Sequence, residues 1–166
     1  MAVRPVLAMP HPALKRRCPE IADDAEIARI AEDLLDTMAA APRCVGIAAP
    51  QIGEPARMAV VDVTGHPRAR SCAGRLVLVN PVLVDASEEA RIGREGCLSV
   101  PDFTADVRRA RRVVVAATDP RGAPVRIVAD AFEARCLLHE LDHLDGILFL
   151  DRVESAAAVF RRRDYG

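Results

Sequence analysis

Apolar residues recur at steps of three and four positions in one early segment of the chain. This spacing predicts an amphipathic helix from Asp23 to about Ala41, because residues so spaced share one face of a helix. Asp23 or Asp24 can cap its start, and Pro42 is expected to end it. The apolar positions of the predicted helix are Ile27, Ile30, Leu34, Leu35 and Met38.

Short runs rich in β-branched residues predict strands further along the chain. Met58–Val63 and Leu76–Val79 are two such runs, and Pro81–Val84 is expected to extend the second one after a break. Arg112–Thr118 and Val125–Ala129 flank a short segment with proline and glycine, which predicts a β-hairpin.

The last third of the chain returns to a helical pattern. It extends from Asp130 to about Asp145, and Gly146 follows where a C-terminal glycine cap belongs. The tail from Asp151 to Gly166 predicts a short helix that ends in a solvated cluster, Arg161–Arg163. We expect an α+β fold in which antiparallel strands pack around the central helix, with an N-terminal helix and a short C-terminal segment. At this length, residues 1–166 are expected to form a single domain.

Composition restricts the classes of function. The chain has 166 residues, 51% of them hydrophobic, and a formal net charge of -1. This near-neutral balance gives no electrostatic reason to expect a nucleic acid or a membrane surface as the main partner. With four Phe, one Tyr and no Trp, the chain also lacks the aromatic residues of a stacking platform for single strands.

The chain start and the cysteines point to a cytoplasmic protein. The apolar stretch before Lys15 is too short for a secretory signal, and no run approaches the length of a membrane span. The chain has five cysteines without a pairing pattern, and it is long enough to fold without disulfide bonds. These features predict reduced thiols.

The strongest chemical signal is the segment His139-Glu140-Leu141-Asp142-His143. Residues four apart lie on one face of a helix, so both imidazoles can bind one metal ion. Glu140 then lies beside the coordination position left for water, where a carboxylate can move a proton.

A hydrolytic metal site usually takes three protein ligands, so one is missing from this helix. One class of metalloprotease adds a third histidine, but the corresponding residue here is Phe149, which cannot ligate. Another class adds a distant glutamate, and the corresponding region here is Arg161–Arg163. Neither protease pattern is completed, and the remaining candidate is Cys97, whose neighbour Gly96 allows a tight backbone beside the thiol. By itself Cys97 would more often be a small buried apolar residue.

Three segments together resemble the motifs of the peptide deformylase family. They are GIAAPQ at 46–51, EGCLS at 95–99 and HELDH at 139–143, and the similarity extends over most of the chain. The resemblance implies that Cys97, His139 and His143 hold the metal and that Glu140 is the catalytic acid and base. It also implies that the Gln51 side-chain amide and the Leu98 backbone N–H form the oxyanion hole. Outside the family pattern, Gln51 would be a polar turn residue.

The resemblance also implies a substrate, an ion and partners. The expected reaction removes the formyl group from N-formylmethionyl peptides and nascent chains. The expected ion is one Fe²⁺ per chain, which Zn²⁺, Ni²⁺ or Co²⁺ can replace. The methionine side chain is expected to enter a pocket that includes Val45, Gly46, Phe132 and Cys136. Transient ribosome association and a monomeric state are expected, without a nucleic-acid motif and without a membrane.

Supporting roles are assigned to residues around the motifs. Glu95 and Ser99 are expected to shape a loop that presents Cys97. Asp142 is expected to point away from the metal face or to reach a partner behind the ligands, where carboxylates often orient imidazoles. Cys44, Leu138 and Thr104 depart from the family pattern, Thr104 at a place where some members have an arginine near the substrate backbone. Two other functions stay open at this stage: an endopeptidase with the same helix motif, and a peptide-binding domain without catalysis.

Overall fold

A computed structural model describes residues 2–163 as two helices, eight strands and short 3₁₀ turns. The helices are α1 (Asp24–Ala40) and α2 (Ala131–Leu144). The strands are β1 (Gly46–Ala48), β2 (Met58–Val61), β3 (Leu76–Ala86), β4 (Ala90–Cys97), β5 (Val100–Ala110), β6 (Arg112–Thr118), β7 (Pro124–Asp130) and β8 (Val159–Arg161).

The strands form two antiparallel sheets. A five-stranded sheet has the order β1-β2-β3-β6-β7, and a three-stranded sheet has the order β4-β5-β8. Helix α2 packs against β1, β2 and β7 of the first sheet and against β5 of the second. The predicted α+β fold, with antiparallel strands around a central helix, is confirmed.

Helix α1 forms where the sequence predicts it. The Asp23 side chain accepts a hydrogen bond from the Glu26 backbone N–H and so caps the first turn. The apolar face, with Ile30 and Leu34 fully buried, packs against the first two strands of the larger sheet. Burial of each such side chain stabilises the fold by about 2 kcal/mol.

Helix α2 also forms as predicted and is followed by a required glycine. Gly146 has φ 73°, a left-handed conformation that favours glycine. A Cβ there would lie 2.7 Å from the backbone of Lys15, so the N-terminal segment can approach this turn only because no side chain is present. The β6–β7 hairpin is confirmed as well, with Val115 opposite Ile127.

Two expectations are corrected. Cys97 does not lie in a loop, because it is the last residue of β4 in a long hairpin with β5, where it pairs with Val100. The tail does not form an α-helix: among the described residues it makes short 3₁₀ turns and then β8, which pairs with β5. In β8, Phe160 pairs with Thr104 of β5. The two residues are far apart in sequence, so a local pattern cannot predict that they pair. Residues 164–166 of the predicted tail lie outside the described residues.

Within residues 2–163, neither helix combines the length and the apolar character that crossing a membrane would require.

Candidate active site

The three candidate metal ligands come together from two separate elements. Cys97 lies at the end of β4, and His139 and His143 lie one turn apart on α2. One ligand atom from each lies within 4.8 Å of those of the others. The Cys97 Sγ is 3.3 Å from the His143 Nε2.

The chemistry of this cluster fits a divalent metal ion. A thiolate and two imidazoles are a donor set that suits zinc and ferrous iron. The His143 Nδ1 and the Glu140 Oε2 are buried and have no hydrogen-bond partner within the described part of the chain. Buried polar atoms are usually paired, so the Glu140 Oε2, on a residue that lines the cavity, indicates a site built for a further polar or charged group. The His143 Nδ1 lies on the side of the ring away from the Nε2 that faces Cys97.

Glu95 orients one of the two imidazoles. Its carboxylate is 2.8 Å from the His139 Nδ1, which leaves the other ring nitrogen of His139 for the cluster. The same carboxylate accepts two hydrogen bonds of 2.9 Å from Arg109 and one of 2.8 Å from Arg135. Although burial would raise its pKa, the hydrogen bonds from His139 and Arg109 lower the pKa of Glu95 to about 2. Glu95 is therefore a permanent negative charge behind the ligand.

Asp142 contacts a different set of groups. It accepts hydrogen bonds from Arg109 at 2.5 Å and from Arg152 at 2.7 and 2.8 Å. Of the two expectations for Asp142, the structure fits the second: it contacts Arg109, which in turn holds Glu95, and Glu95 makes the direct contact with the imidazole. Arg109 links the two carboxylates and so connects β4, β5 and α2.

The candidate oxyanion donors lie beside the cysteine. The Gln51 Oε1 accepts a hydrogen bond of 2.9 Å from the Ala48 N–H, which fixes the orientation of the amide. The Gln51 Nε2 then lies 3.1 Å from the Ser99 Oγ and 3.4 Å from the Cys97 Sγ. Leu98 occupies the turn after Cys97 and lines the same cavity. Hydrogen-bond donors held beside a reacting carbonyl can stabilise the negative charge that develops on its oxygen.

Glu140 is held close to the backbone of β1. A Cβ at Gly46 would lie 2.6 Å from the Glu140 Oε1, so only glycine leaves room for this carboxylate. Burial, together with the negative charge of Glu95, raises the pKa of Glu140 to about 7, although His139 opposes the shift. Such a group can both accept and return a proton near neutral pH.

A cavity of about 320 Å³ adjoins these residues. All four candidate substrate-binding residues, Val45, Gly46, Phe132 and Cys136, line it. Two further lining residues come from the loop after β2 and were not predicted: the His66 ring stacks on Phe132 at 4.0 Å, and the Arg68 guanidinium lies 4.7 Å from the same ring. No local pattern in the sequence brings this loop next to α2.

Arg162 belongs to the cluster predicted to be solvated; it is exposed, and it also lines the cavity. Its Nη2 donates a hydrogen bond of 3.3 Å to the backbone oxygen of Cys97. Its placement depends on β8, in the part of the tail where the sequence pattern predicts a helix.

The chain is similar to known proteins in sequence and in fold. A family model described as polypeptide deformylase matches residues 3–158. A peptide deformylase of Rhizobium meliloti is 41% identical over 154 residues, which are 92% of this chain and 86% of that protein. Peptide deformylase 2 of Gloeobacter violaceus is 46% identical over 134 residues, with 81% and 70% of the two chains covered. A Met-Ala-Ser-bound class I type b peptide deformylase from Acinetobacter baumannii superposes with a TM-score of 0.84 at 35% identity, covering 92% of this chain and 99% of that one.

Proposed function

The chain belongs to the polypeptide deformylase family, and from this premise we propose that Cys97, His139 and His143 hold its single catalytic metal ion. The chain is a hydrolase that removes the N-formyl group from formylmethionyl peptides. The observation that carries the ligand assignment is the cluster itself: three donor atoms from β4 and α2 within 4.8 Å of one another.

The proposed resident ion is Fe²⁺, with Zn²⁺, Ni²⁺ or Co²⁺ able to replace it. When bound, a divalent ion would polarise the formyl carbonyl and make water a better nucleophile at neutral pH. Glu95 and Arg109 support the assignment, because a carboxylate behind a ligating imidazole fixes its tautomer and its orientation.

Glu140 is proposed to move the proton in this reaction. It accepts a proton from the attacking water and returns it to the departing amine, so that formate and a free N-terminus leave the site. The close approach of Glu140 to Gly46 supports this role, because it holds the carboxylate at the wall of the cavity.

The Gln51 amide and the Leu98 backbone N–H are proposed to donate hydrogen bonds to the oxygen of the formyl group as it gains negative charge. The Ala48 N–H already holds the Gln51 amide in one orientation, which supports this role because a donor fixed in advance needs less reorganisation when the charge develops. Loss of one such donor is worth about 3 kcal/mol, so Gln51→Ala should lower kcat about 100-fold without abolishing turnover.

The cavity next to these groups is proposed to take the methionine side chain. Val45, Phe132 and Cys136 supply an apolar wall. Residues 1–166 are proposed to act as one catalytic domain, a monomer of the cytoplasm that meets nascent chains in transient association with the ribosome.

The test is formate release from formyl-Met-Ala, measured beside cleavage of casein, on protein purified without oxygen and analysed for metal. We expect one equivalent of metal and formate release without casein cleavage. Cys97→Ala should lose both the metal and the activity, whereas Cys72→Ala, at an exposed free thiol, should keep both.

Each other outcome points to a different function. Casein cleavage without formate release would identify an endopeptidase. Binding of formyl-Met peptides by the iron-loaded protein without any formate would identify a binding domain. Full metal content and turnover in Cys97→Ala would refute the proposed ligand set.

A further inference from the structure

The mouth of the cavity is basic, although the chain as a whole has a net charge of -1. Four exposed arginines line it: Arg43, Arg68, Arg94 and Arg162. The acidic residues that line the same cavity are Glu95 and Glu140, and both are buried. A concave site with charges of one sign at its entrance concentrates ligands of the opposite sign.

Most of this positive charge is not neutralised by the protein. Arg94 forms an ion pair of 2.7 Å with Asp106. Across residues 2–163, by contrast, no carboxylate lies within ion-pair distance, 4.0 Å, of the side chains of Arg43, Arg68 or Arg162. Three guanidinium groups at the entrance are therefore available to a ligand.

Arg162 is the one of these that lies beside the proposed catalytic residues. Its backbone N–H donates a hydrogen bond of 2.8 Å to the Asp102 oxygen, which continues the pairing of β8 with β5. Its side chain crosses Gly96, where a Cβ would lie only 2.7 Å from the Arg162 Nη2. The short side chain of Thr104 lies on the same side of Gly96, with its Cγ2 3.5 Å from that Cβ position.

The guanidinium is anchored but not saturated. One bond, from Nη2 to the Cys97 oxygen, holds it at the cavity. A guanidinium has five N–H donors in a planar fork that matches a carboxylate, so donors remain for a ligand. A peptide bound in this cavity lies within reach of the guanidinium, because Arg162 lines the cavity together with Cys97 and Glu140.

We propose that Arg162 binds a carboxylate within the first three residues after the formylmethionine, so that the enzyme prefers substrates with acidic N-terminal segments. The inference rests on the proposed function, because it places the formyl group at the Cys97 cluster. It gives Arg162 a role in substrate specificity, whereas the sequence alone predicts only that the cluster Arg161–Arg163 is solvated.

The test compares matched peptides that differ only in charge. Peptides of the form formyl-Met-Ala-Ala-Ala-amide carry either Asp or Asn at the second, third or fourth position, and the amide removes the terminal carboxylate. At low salt, and at one position at least, we expect kcat/KM to be about fivefold higher for the Asp peptide than for the Asn peptide, which is the effect of one exposed ion pair. The difference should lie in KM, with kcat unchanged. Added salt should reduce this ratio.

Variants identify the residue responsible. Arg162→Gln should bring the Asp-to-Asn ratio to about one, and Arg162→Lys should keep part of the preference because it keeps the charge. Arg161→Gln removes the same charge from a neighbour that does not line the cavity, and should keep the full ratio. Melting temperatures verify that each variant is folded.

The outcomes separate this inference from the proposed function. A wild-type ratio of one or less at all three positions, or an unchanged ratio in Arg162→Gln, would overturn the role of Arg162 while deformylation continues. Absence of formate release from every peptide would overturn the proposed function, and this inference with it.

Discussion

The absence of a side chain at Gly46 determines where the proposed proton carrier lies. The glycine belongs to the edge strand β1, and the Glu140 Oε1 occupies the space that a Cβ would need. Gly46 has no positive φ that would by itself call for glycine, so the close approach of the carboxylate is the physical reason for this residue.

Gly46→Ala should therefore impair catalysis more than folding. The Cβ would come within 2.6 Å of the carboxylate oxygen and force Glu140 to move. A displacement of about 1 Å in an active site can cost about 100-fold in rate, so we expect kcat/KM for formate release to fall by that order. Metal content should stay at one equivalent, since none of the proposed ligands is changed. Near-normal kcat/KM in this variant would show that the position of Glu140 is not critical.

At the scale of elements, local periodicity predicted α1, α2 and the β6–β7 hairpin, because each depends on contacts between near neighbours in sequence. It did not predict β4 and β5. In β4 the exposed Arg91 and Ile92 stand side by side, and Gly93 and Gly96 interrupt the alternation. These strands are stabilised by pairing with each other and by packing against α2. Such contacts between distant residues cannot be predicted from a local pattern.

At the candidate site, too, the residues placed by contacts between distant parts of the chain could not be predicted from the sequence. The three motifs predicted the cluster because their residue types are specific to its chemistry. They gave no indication of Arg162, whose position depends on the pairing of β8 with β5, or of His66, which a loop delivers to Phe132. The orienting role went to Glu95 and not to Asp142, because Cys97 and Glu95 lie on the same strand and face α2 together.

Arg109 connects three elements, and its removal should destabilise the protein. Arg109→Met would take the shared cation from Glu95 and Asp142, both nearly buried, and leave each with fewer partners. Breaking such a pair costs about 3 kcal/mol, measurable as a lower midpoint in urea denaturation. Metal affinity should also fall, by about tenfold, since Glu95 orients His139.

Arg108→Met is the matched control for this substitution. Its guanidinium pairs at 3.1 Å with the exposed Glu154, so its loss should cost less than about 1 kcal/mol. Equal destabilisation by the two variants would mean that the buried network has no special role in stability.

Glu54 should make the attachment of α1 dependent on pH. Arg29 donates hydrogen bonds to it at 2.7 and 3.2 Å, and this lowers the pKa of Glu54 from its ordinary value of 4.5. Because the folded pKa is the lower one, the stabilisation is complete above pH 4.5 and is lost as the pH falls through the folded value.

Glu54→Gln should thus lower the free energy of unfolding by about 1 kcal/mol at neutral pH, and the difference from wild type should shrink as the solution is acidified below the ordinary pKa. Urea denaturation at a series of pH values measures this. Glu88→Gln removes an exposed carboxylate for which no ion pair is found within residues 2–163, and should have little effect at any pH. A pH-independent effect of Glu54→Gln would indicate packing instead of charge.

At the scale of the whole molecule, the proposed ligands bridge the two sheets. Cys97 belongs to the three-stranded sheet, and the histidines belong to the helix that packs on the five-stranded one. A ligand that binds only the folded state stabilises it by about 2.7 kcal/mol at a concentration of 100 Kd.

Removal of the metal by a chelator should therefore lower Tm by roughly 5–10 °C, as expected for a chain of this size. Differential scanning calorimetry of the metal-loaded and chelated protein measures the shift. Cys97→Ala should abolish the difference, whereas Cys72→Ala should retain it. An identical Tm with and without metal would argue against a bridging site.

The placement of the cluster between the sheets has a consequence for biogenesis. Until the β4–β5 hairpin packs on α2, the Cys97 thiol and the two imidazoles are held by separate elements, and the proposed ion would not find all three of its ligands together. Metal binding would then report that the two sheets have been assembled around α2, and partly folded molecules would hold the ion only weakly.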